Sequence, residues 1–501
     1  MDDHVGMTSS DFSFSPLDTR TTRRKLLGAA ALASATPALS ATSQASLIGD
    51  ETVDIVIVGS GGAGISAALA ARECITGPIV ILEKLAVTGG NTRFSCGYFN
   101  AVDPERQKPQ GINDSIERHI EHTMLSGRGH AKPELVRELC TRALDTLHWV
   151  ESYGVHYDKG CTQIYGGLFP RSHLPLLPKD TDSYVDILLD ACRRRSIEVR
   201  TQCAVQSLTQ DTDGTVTGVI YVDVQGHHRR MRAKRAVILA SGGYAANANL
   251  CRLHDPRLEK LATTNTSGAT GEMMIAAQRA GAYLVGCDYV ECIPLHTHYA
   301  RFAILVERCI FVDHSGRRFI REDERRDVLR DKILALPEQH GYVIVDNEGF
   351  LDNPPSFQRQ LHEGLKKQEV YAAQTLEEMA QLLRLPVNNF VETVKRYNTF
   401  VREKKDPDYH RQTESLRYTI EKPPFWASRA SMSRHHTMGG VSIDTKARVL
   451  NWDDQPIPHL YAAGEVTGGL HGVNRLGGNA ICDVHVFGRI AGYEAAKEKP
   501  L

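Results

Sequence analysis

The feature that most constrains this chain is the run Asp54-Ile-Val-Ile-Val58, followed at once by the glycine-rich turn 59–64. An apolar, β-branched run without polar alternation predicts a strand buried on both faces, as in a parallel sheet. Gly59, Gly61 and Gly64 stand in G-x-G-x-x-G spacing, with Ser60, Gly62 and Ala63 between them, and Ile65 to Arg72 read as a helix. "PIVILEK" is a second strand that ends at Glu83, 19 residues beyond Gly64. Strand, glycine turn, helix, strand and acid, in that order, predict a dinucleotide site. Gly59 allows the tight turn, Gly61 lets backbone approach a pyrophosphate, and Gly64 lets helix and strand pack closely. The pyrophosphate sits on the helix N-terminus, whose free N–H groups point at it. Glu83 accepts hydrogen bonds from both ribose hydroxyls, and its charge disfavours a 2′-phosphate and hence NADP. The glycine spacing alone is a weak signal, and a purely structural turn is the competing reading.

A length of 501 residues predicts about two or three domains. The balance of 42% hydrophobic and 24% charged residues supplies a large core, and a net charge of −1 gives no basic stripe for nucleic acid. Residues 1–45 read differently. "TTRRKLLGAAALASATPALSA" places the pair Arg23-Arg24 before an apolar run and small residues, the layout of a twin-arginine export signal. A disordered basic leader or a short membrane anchor is the alternative, although a transmembrane helix needs about 20 apolar residues. The expected location is therefore the periplasm, with no transmembrane span in the mature chain. The twin-arginine route carries folded proteins, which hints at a tightly held cofactor. Eleven scattered cysteines form no C-x-x-C pair, so neither zinc, iron–sulfur nor covalent haem ligation is expected, nor an essential disulfide.

Further along, 104–151 read as helical, 183–196 as an amphipathic helix, and 197–244 as strands, with a hairpin turn at Asp213-Gly214. From about Asp288 to Arg434 the glycine-turn pattern stops, and this stretch has its own strand ("CIFVD") and helices ("TLEEMAQLLRL", "NNFVETVKRYNTFVREKK"). The reading is an α/β chain. A doubly wound dinucleotide-binding domain covers 51–287 and 435–501, and a second, α+β domain is inserted at 288–434. No internal repeat is visible.

The segments "TGGNTRFSCG", "HHTMGGVSIDTKARV" (435–449) and "GEVTGGLHGVNRLGGNAICD" (464–483) resemble the flavoproteins of the fumarate reductase and succinate dehydrogenase group. The likeness is to the soluble flavocytochrome c type and relatives such as urocanate reductases, without their haem and FMN domains. It runs from about Thr52 to Gly492 and is weaker in the inserted part. The resemblance implies that the doubly wound domain binds FAD and that the inserted α+β domain is a capping domain, with Gly59 to Gly64 on the pyrophosphate and Glu83, followed by Lys84, at the ribose. It places Gly90, Asn91, Thr92, Gly97 and Tyr98 along the flavin, Val205 near the adenine and Glu465 at the ribityl end. Gly478, Asn479, Ala480 and Ile481 line the isoalloxazine, and His436 also touches it. Glu272 stands where the family has an Asp in a Gly-Asp-Gly turn. The GGNT region carries no histidine, so non-covalent flavin is expected.

Such enzymes transfer hydride between flavin N5 and the carbon β to a carboxylate. Negative charge builds on the carboxylate and α-carbon, where a fixed cation binds it best. An arginine fork matches a planar carboxylate. The resemblance makes Arg475, between two glycine-bearing turns, the clamp on the substrate carboxylate, with His435 its partner. The competing reading pairs Arg475 with a structural Asp or Glu of the cap. By position Arg326, followed by Asp327, corresponds to the family's proton-donating arginine. Arginine is a very poor acid, with a pKa above about 12, so only placement makes that role workable. By composition alone, Arg317 to Arg330 reads as a solvated charged helix.

The pattern breaks at the far end of the substrate. The family's histidine before a proline is Ile293 here, before Pro294, and the next stretch is about four residues shorter and lacks the Thr-Glu pair. Glu307 and Arg308 are candidates to replace that relay. His296 and His298 either face the substrate or are exposed loop residues. The expected activity is reduction of an unsaturated carboxylic acid other than fumarate, with electrons from a separate cytochrome- or quinone-linked partner. The alternatives are a dehydrogenase of a ketosteroid or saturated acid, or a non-catalytic flavin carrier.

Overall fold

The nucleotide sheet grows from β1 (Asp50–Val58), whose core stretch pairs in parallel on both sides: Ile55 to Val58 lie opposite Ile79 to Leu82 of β2 (Ile79–Leu82), and also opposite residues 236–239. The computed structural model describes residues 50–501 apart from 179–180, 295–301 and 303–304. The twin-arginine leader, His296 and His298 lie outside the described residues. Residues 47–501 form one compact unit.

Six further strands complete this sheet, among them β3 (Glu198–Arg200), β4 (Ala204–Gln210), β5 (Val216–Val222), β6 (His228–Leu239) and β14 (Pro456–Ala462). The order is β13 (Arg448–Leu450), β14, β6, β1, β2, β3, with β5 also paired to β6 and β4 to β5. Gly214, at φ +86°, turns the β4–β5 hairpin where the Asp-Gly pair predicts it. The parallel strands carry apolar residues on both faces because helices cover both. One of these is α1 (Gly62–Cys74), another α8 (Asn479–Lys497). These two lie so close that a Cβ on Gly488 would sit 2.5 Å from the Ala63 carbonyl oxygen. A Cβ on Gly62 would likewise lie 2.8 Å from Val484 Cγ2, so the start of α8 lies beside the glycine turn.

A second, four-stranded antiparallel sheet is built within residues 310–431, in the order β8 (Ile310–Val312), β9 (His340–Val345), β11 (Phe425–Ser431), β10 (Val370–Ala373). Alternate side chains enter two separate cores, as a period of two requires. Ile310, Val312 and Ile344 join α6 (Leu376–Leu382) and α7 (Val387–Glu403), whereas Phe311, Val343 and Val345 pack with Trp426 and Leu329. The architecture is a doubly wound FAD-binding sheet with an α+β capping part. Among the described residues no helix is long and apolar enough to cross a membrane.

The stretch 317–330 is not a solvated helix. Helix α5 (Arg326–Leu334) begins only at Arg326, and Arg318, Glu322 and Asp323 before it are buried. Arg318 bonds Glu322 at 2.7 Å and Asp406 at 2.9 Å, and Arg411 bonds Glu322 at 3.1 Å. Burial in opposite-charge pairs replaces exposure, because an unpaired buried charge is prohibitively costly.

Candidate active site

The dinucleotide turn is sterically determined. A Cβ on Gly64 would lie 2.0 Å from the Gly59 carbonyl oxygen, and Gly59 itself has φ +106°. At Gly61 a Cβ would meet nothing closer than 3.9 Å, so its outer face is open. A cleft runs past this turn. Gly59 to Ala63 form one wall, while Glu83, Lys84, Val205 and Glu272 line the nucleotide end. Gly90, Asn91, Thr92 and Glu465 continue it towards the centre of the molecule. Gly64, Gly97, Tyr98, His436 and Gly478 to Ile481 do not line this cleft. An open glycine face at a helix N-terminus, an acid at the second strand end and a long cleft fit the adenosine diphosphate part of FAD.

Glu83 is buried and already accepts three hydrogen bonds, from Ser60 N (3.1 Å), Ser60 Oγ (2.7 Å) and Leu85 N (2.9 Å). A carboxylate accepts about four, so Glu83 has room for about one ribose hydroxyl rather than two. It also braces the glycine turn. Lys84 Nζ bonds Glu272 at 2.8 Å and Thr270 at 2.7 Å, which lowers the Glu272 carboxyl below its usual range despite partial burial. Thr92 Oγ1 accepts from Gly62 N at 3.1 Å. Asn91 reaches Asn265 at 2.6 Å and Glu465 at 3.4 Å.

Glu465 joins this cleft to a buried polar centre. Its Oε1 accepts from Thr437 N at 2.9 Å and lies 3.6 Å from His436 Nδ1. Burial raises the Glu465 carboxyl. Burial also pushes His436 well below its ordinary value, reinforced by the facing Arg475 and by His471. The His436–Glu465 contact is therefore one of a neutral imidazole and not an ion pair. His436 Nε2 is buried without a partner among the described residues, an orphaned atom at the position where the resemblance sets the flavin.

Two arginines meet beside it. Arg326, the first residue of α5, and Arg475, in the loop before α8, are each 3% exposed. Both donate to one carboxylate, that of Glu291. Arg475 Nη2 bonds Glu291 Oε1 at 2.7 Å, Arg475 N bonds Oε2 at 3.1 Å, and Arg326 Nη1 also donates to Oε1. Arg326 Nε donates to the Tyr165 carbonyl at 3.0 Å. Gly166, at φ +68°, makes room for that side chain: a Cβ there would lie 2.8 Å from Arg326 Cγ. Burial pushes Arg475 down to about 10 while Glu291 opposes it, so it is a cation throughout the neutral range. The Arg475 loop is pinned by Gly477 N to Gly166 O (2.7 Å) and by Asn474 Nδ2 to Ser126 Oγ (2.8 Å).

Glu291 lies on β7 (Val290–Ile293), which pairs antiparallel with β12 (Ser433–Thr437). Glu291 faces His436, while Cys292 faces Arg434, so the register slips past His435. Bulges of this kind re-aim side chains next to active sites. His435 Nδ1 lies 2.7 Å from Thr264 Oγ1, and its carbonyl accepts from Asn265 Nδ2 at 2.7 Å.

Other sequence candidates stand elsewhere. Asn479 turns its side chain to protein partners: Oδ1 faces His119 Nε2 at 2.9 Å and Asn100 Nδ2 at 2.8 Å, and Nδ2 donates to Thr123 at 3.0 Å. It anchors the start of α8, with Gly478 (φ +88°) as its N-cap and Ala480 and Ile481 following. Gly97 has φ +77°, and Tyr98 packs with Ile164 and Leu305 in a small apolar cluster. Glu307 is buried against Thr162 Oγ1 at 2.5 Å, and Arg308 turns away to Asp352 at 2.5 Å and over the Tyr418 ring. Neither contacts Arg326. Glu291 and Gly166 were missed by the sequence reading. The available signal was a lone acid in the otherwise apolar strand Val290–Ile293.

A buried cation pair beside an FAD-shaped cleft defines a flavin-dependent oxidoreductase. Comparison with known proteins agrees. Residues 54–481 match the FAD binding domain family. A fumarate reductase (cytochrome) of Shewanella frigidimarina is 35% identical over 462 residues, covering 89% of this chain and 77% of the relative. The urocanate reductase of Eggerthella lenta is 32% identical, covering 89% and 74%. An open conformation of a flavocytochrome c3 fumarate reductase superposes with TM-score 0.69 at 30% identity, covering 96% of this chain and 81% of that one. The chain belongs to the fumarate reductase-like family of FAD-binding flavoproteins, and its cofactor is FAD.

Proposed function

We propose that this chain is an FAD-dependent reductase of α,β-unsaturated carboxylic acids other than fumarate. The observation that carries the reading is the convergence of Arg326 and Arg475, buried and from distant parts of the chain, on one carboxylate position. Bound FAD supplies hydride for the β-carbon. Arg475, with His435, holds the substrate carboxylate and the negative charge that grows on it, and burial strengthens that hold because water does not screen it. Arg326 presents an N–H to the α-carbon. Its side chain is held at Nε by Tyr165 and at Nη1 by Glu291, so the proton is delivered from a fixed place.

The far end of the substrate differs from fumarate's second carboxylate. Ile293 is buried and apolar where the family pattern has a histidine, and Arg308 is engaged away from the site. The urocanate reductase relative acts, by its name, on an acid with a single carboxylate. Electrons come from a separate partner, in keeping with the lack of a C-x-x-C-H motif in the sequence. Export by the twin-arginine route is supported by Arg23-Arg24 and the apolar run after them. Changing both to Lys is expected to retain the protein in the cytoplasm.

The test is anaerobic oxidation of reduced viologen by FAD-loaded protein with fumarate, urocanate, acrylate, cinnamates and itaconate. Turnover of an enoate other than fumarate is expected, with kcat/KM lowered about 100-fold or more by Arg475→Ala. Failure with every enoate, together with flavin reduction by a saturated acid or steroid, would replace the reading with a dehydrogenase.

A further inference from the structure

The reductase reading gives Glu291 only the task of holding Arg326, and its placement is unusual. It is a buried carboxylate inside the pair of cations that should receive the substrate's charge. Its side chain is fully enclosed, and Oε1 is shared by guanidiniums from two different elements. Removing Glu291 would leave two buried cations without a counter-charge, whereas removing either arginine would leave a neutral pair. The two arginines and Glu291 sum to a single positive charge. His436 is held neutral by burial and adds nothing. Glu465, at the other side of His436, can only reduce the total. Donor capacity remains for one guest: Arg475 Nε is buried with no partner among the described residues, and its Nη1 makes only a 3.3 Å bond to the Leu476 carbonyl.

Resting on the proposed reductase function, we infer that Glu291 sets the charge of the substrate pocket and restricts it to acids carrying one carboxylate. One anionic group balances the remaining positive charge. A second would meet the fixed Glu291 carboxylate, which already engages both arginines described here. Two carboxylates sharing one buried site repel strongly. Specificity is here produced by a repulsive element as well as an attractive one.

Fumarate and its monomethyl ester share a carbon skeleton and differ by one charge. The wild-type holoprotein is expected to show a kcat/KM for monomethyl fumarate roughly tenfold or more above that for fumarate. Glu291→Gln, of the same shape without the charge, is expected to shrink that ratio at least roughly tenfold, mainly through a lower KM for fumarate. If Glu291→Gln lowers both substrates alike and leaves the ratio unchanged, Glu291 is only structural and the inference is wrong. A wild-type preference for fumarate also overturns it. Should the variant fail to hold FAD, calorimetric binding of monomethyl succinate against succinate to the wild-type holoprotein decides. Tighter binding of the ester supports the filter, and equal or weaker binding rejects it. Absence of turnover with every enoate, while the ester still binds more tightly, would sink the reductase function and leave the charge filter standing.

Discussion

Gly166→Ala isolates how Arg326, the proposed proton donor, is held. Gly166 sits at φ +68°, where a side chain costs about 1–2 kcal/mol of backbone strain. Its Cβ would also lie 2.8 Å from Arg326 Cγ, 3.0 Å from Nε and 3.2 Å from Cδ. Carbon atoms settle at about 3.5–4.0 Å, so the arginine stem must retreat by about 1 Å. Both ends of that stem are fixed, by the Cα at the start of α5 and by the bonds to Tyr165 and Glu291, so the retreat is taken from the catalytic geometry. A misplacement of about 1 Å costs about 100-fold in rate. Gly111→Ala is the control: its φ is +72°, yet its Cβ would meet nothing within 4 Å. Both variants are expected to lose a similar, small amount of thermal stability. Only Gly166→Ala is expected to lose about 100-fold in viologen-linked kcat with its flavin still bound. Equal loss of kcat in the two, or wild-type kcat in Gly166→Ala, would refute this account of how Arg326 is positioned.

Other outcomes follow from the same geometry. Gly61→Ala meets no protein atom closer than 3.9 Å and keeps an extended φ of −70°, so the apoprotein should melt as the wild type does while its FAD Kd rises; Gly64→Ala, whose Cβ would lie 2.0 Å from Gly59 O, should lower the apoprotein Tm itself. Acid should weaken the fold through the buried imidazoles. Burial lowers His119 and His485 from 6.5 to about 3, so unfolding takes up protons once the pH falls below 6.5. Each then removes stability steadily down to about pH 3, at up to about 1.4 kcal/mol per pH unit. Scanning Tm from pH 7.5 to 5 should show a fall only below about 6.5; a flat or rising profile would mean that these rings are protonated in the fold.

Local pattern made a good part of this molecule legible. The β1 run and the glycine turn are contiguous in sequence, and Glu83 follows within one strand–helix–strand unit: the Gly64–Gly59 clash is local, and the Ser60–Glu83 bonds span 23 residues. Arg326, His435 and Arg475 were found by resemblance, and the fold brings Arg326 and Arg475 into one buried ion cluster. The same sequence logic misjudged 317–330. Charge density alone reads as solvent exposure, whereas the partners that permit burial, Asp406 and Arg411, lie 88 and 89 residues further on from Arg318 and Glu322.

Sequence alone indicated a dinucleotide and a glycine turn to receive it, because strand, turn and helix N-terminus are local structures whose residues carry their own geometric requirements. It did not reveal what occupies the arginine pair. Glu291 is 35 residues from Arg326 and 184 from Arg475, in a strand whose facing depends on the bulge opposite β12. Only the tertiary structure decides that a lone acid in an apolar strand points between two cations. Electrostatic interaction in a buried site depends on distance and surroundings, and spacing along the chain fixes neither.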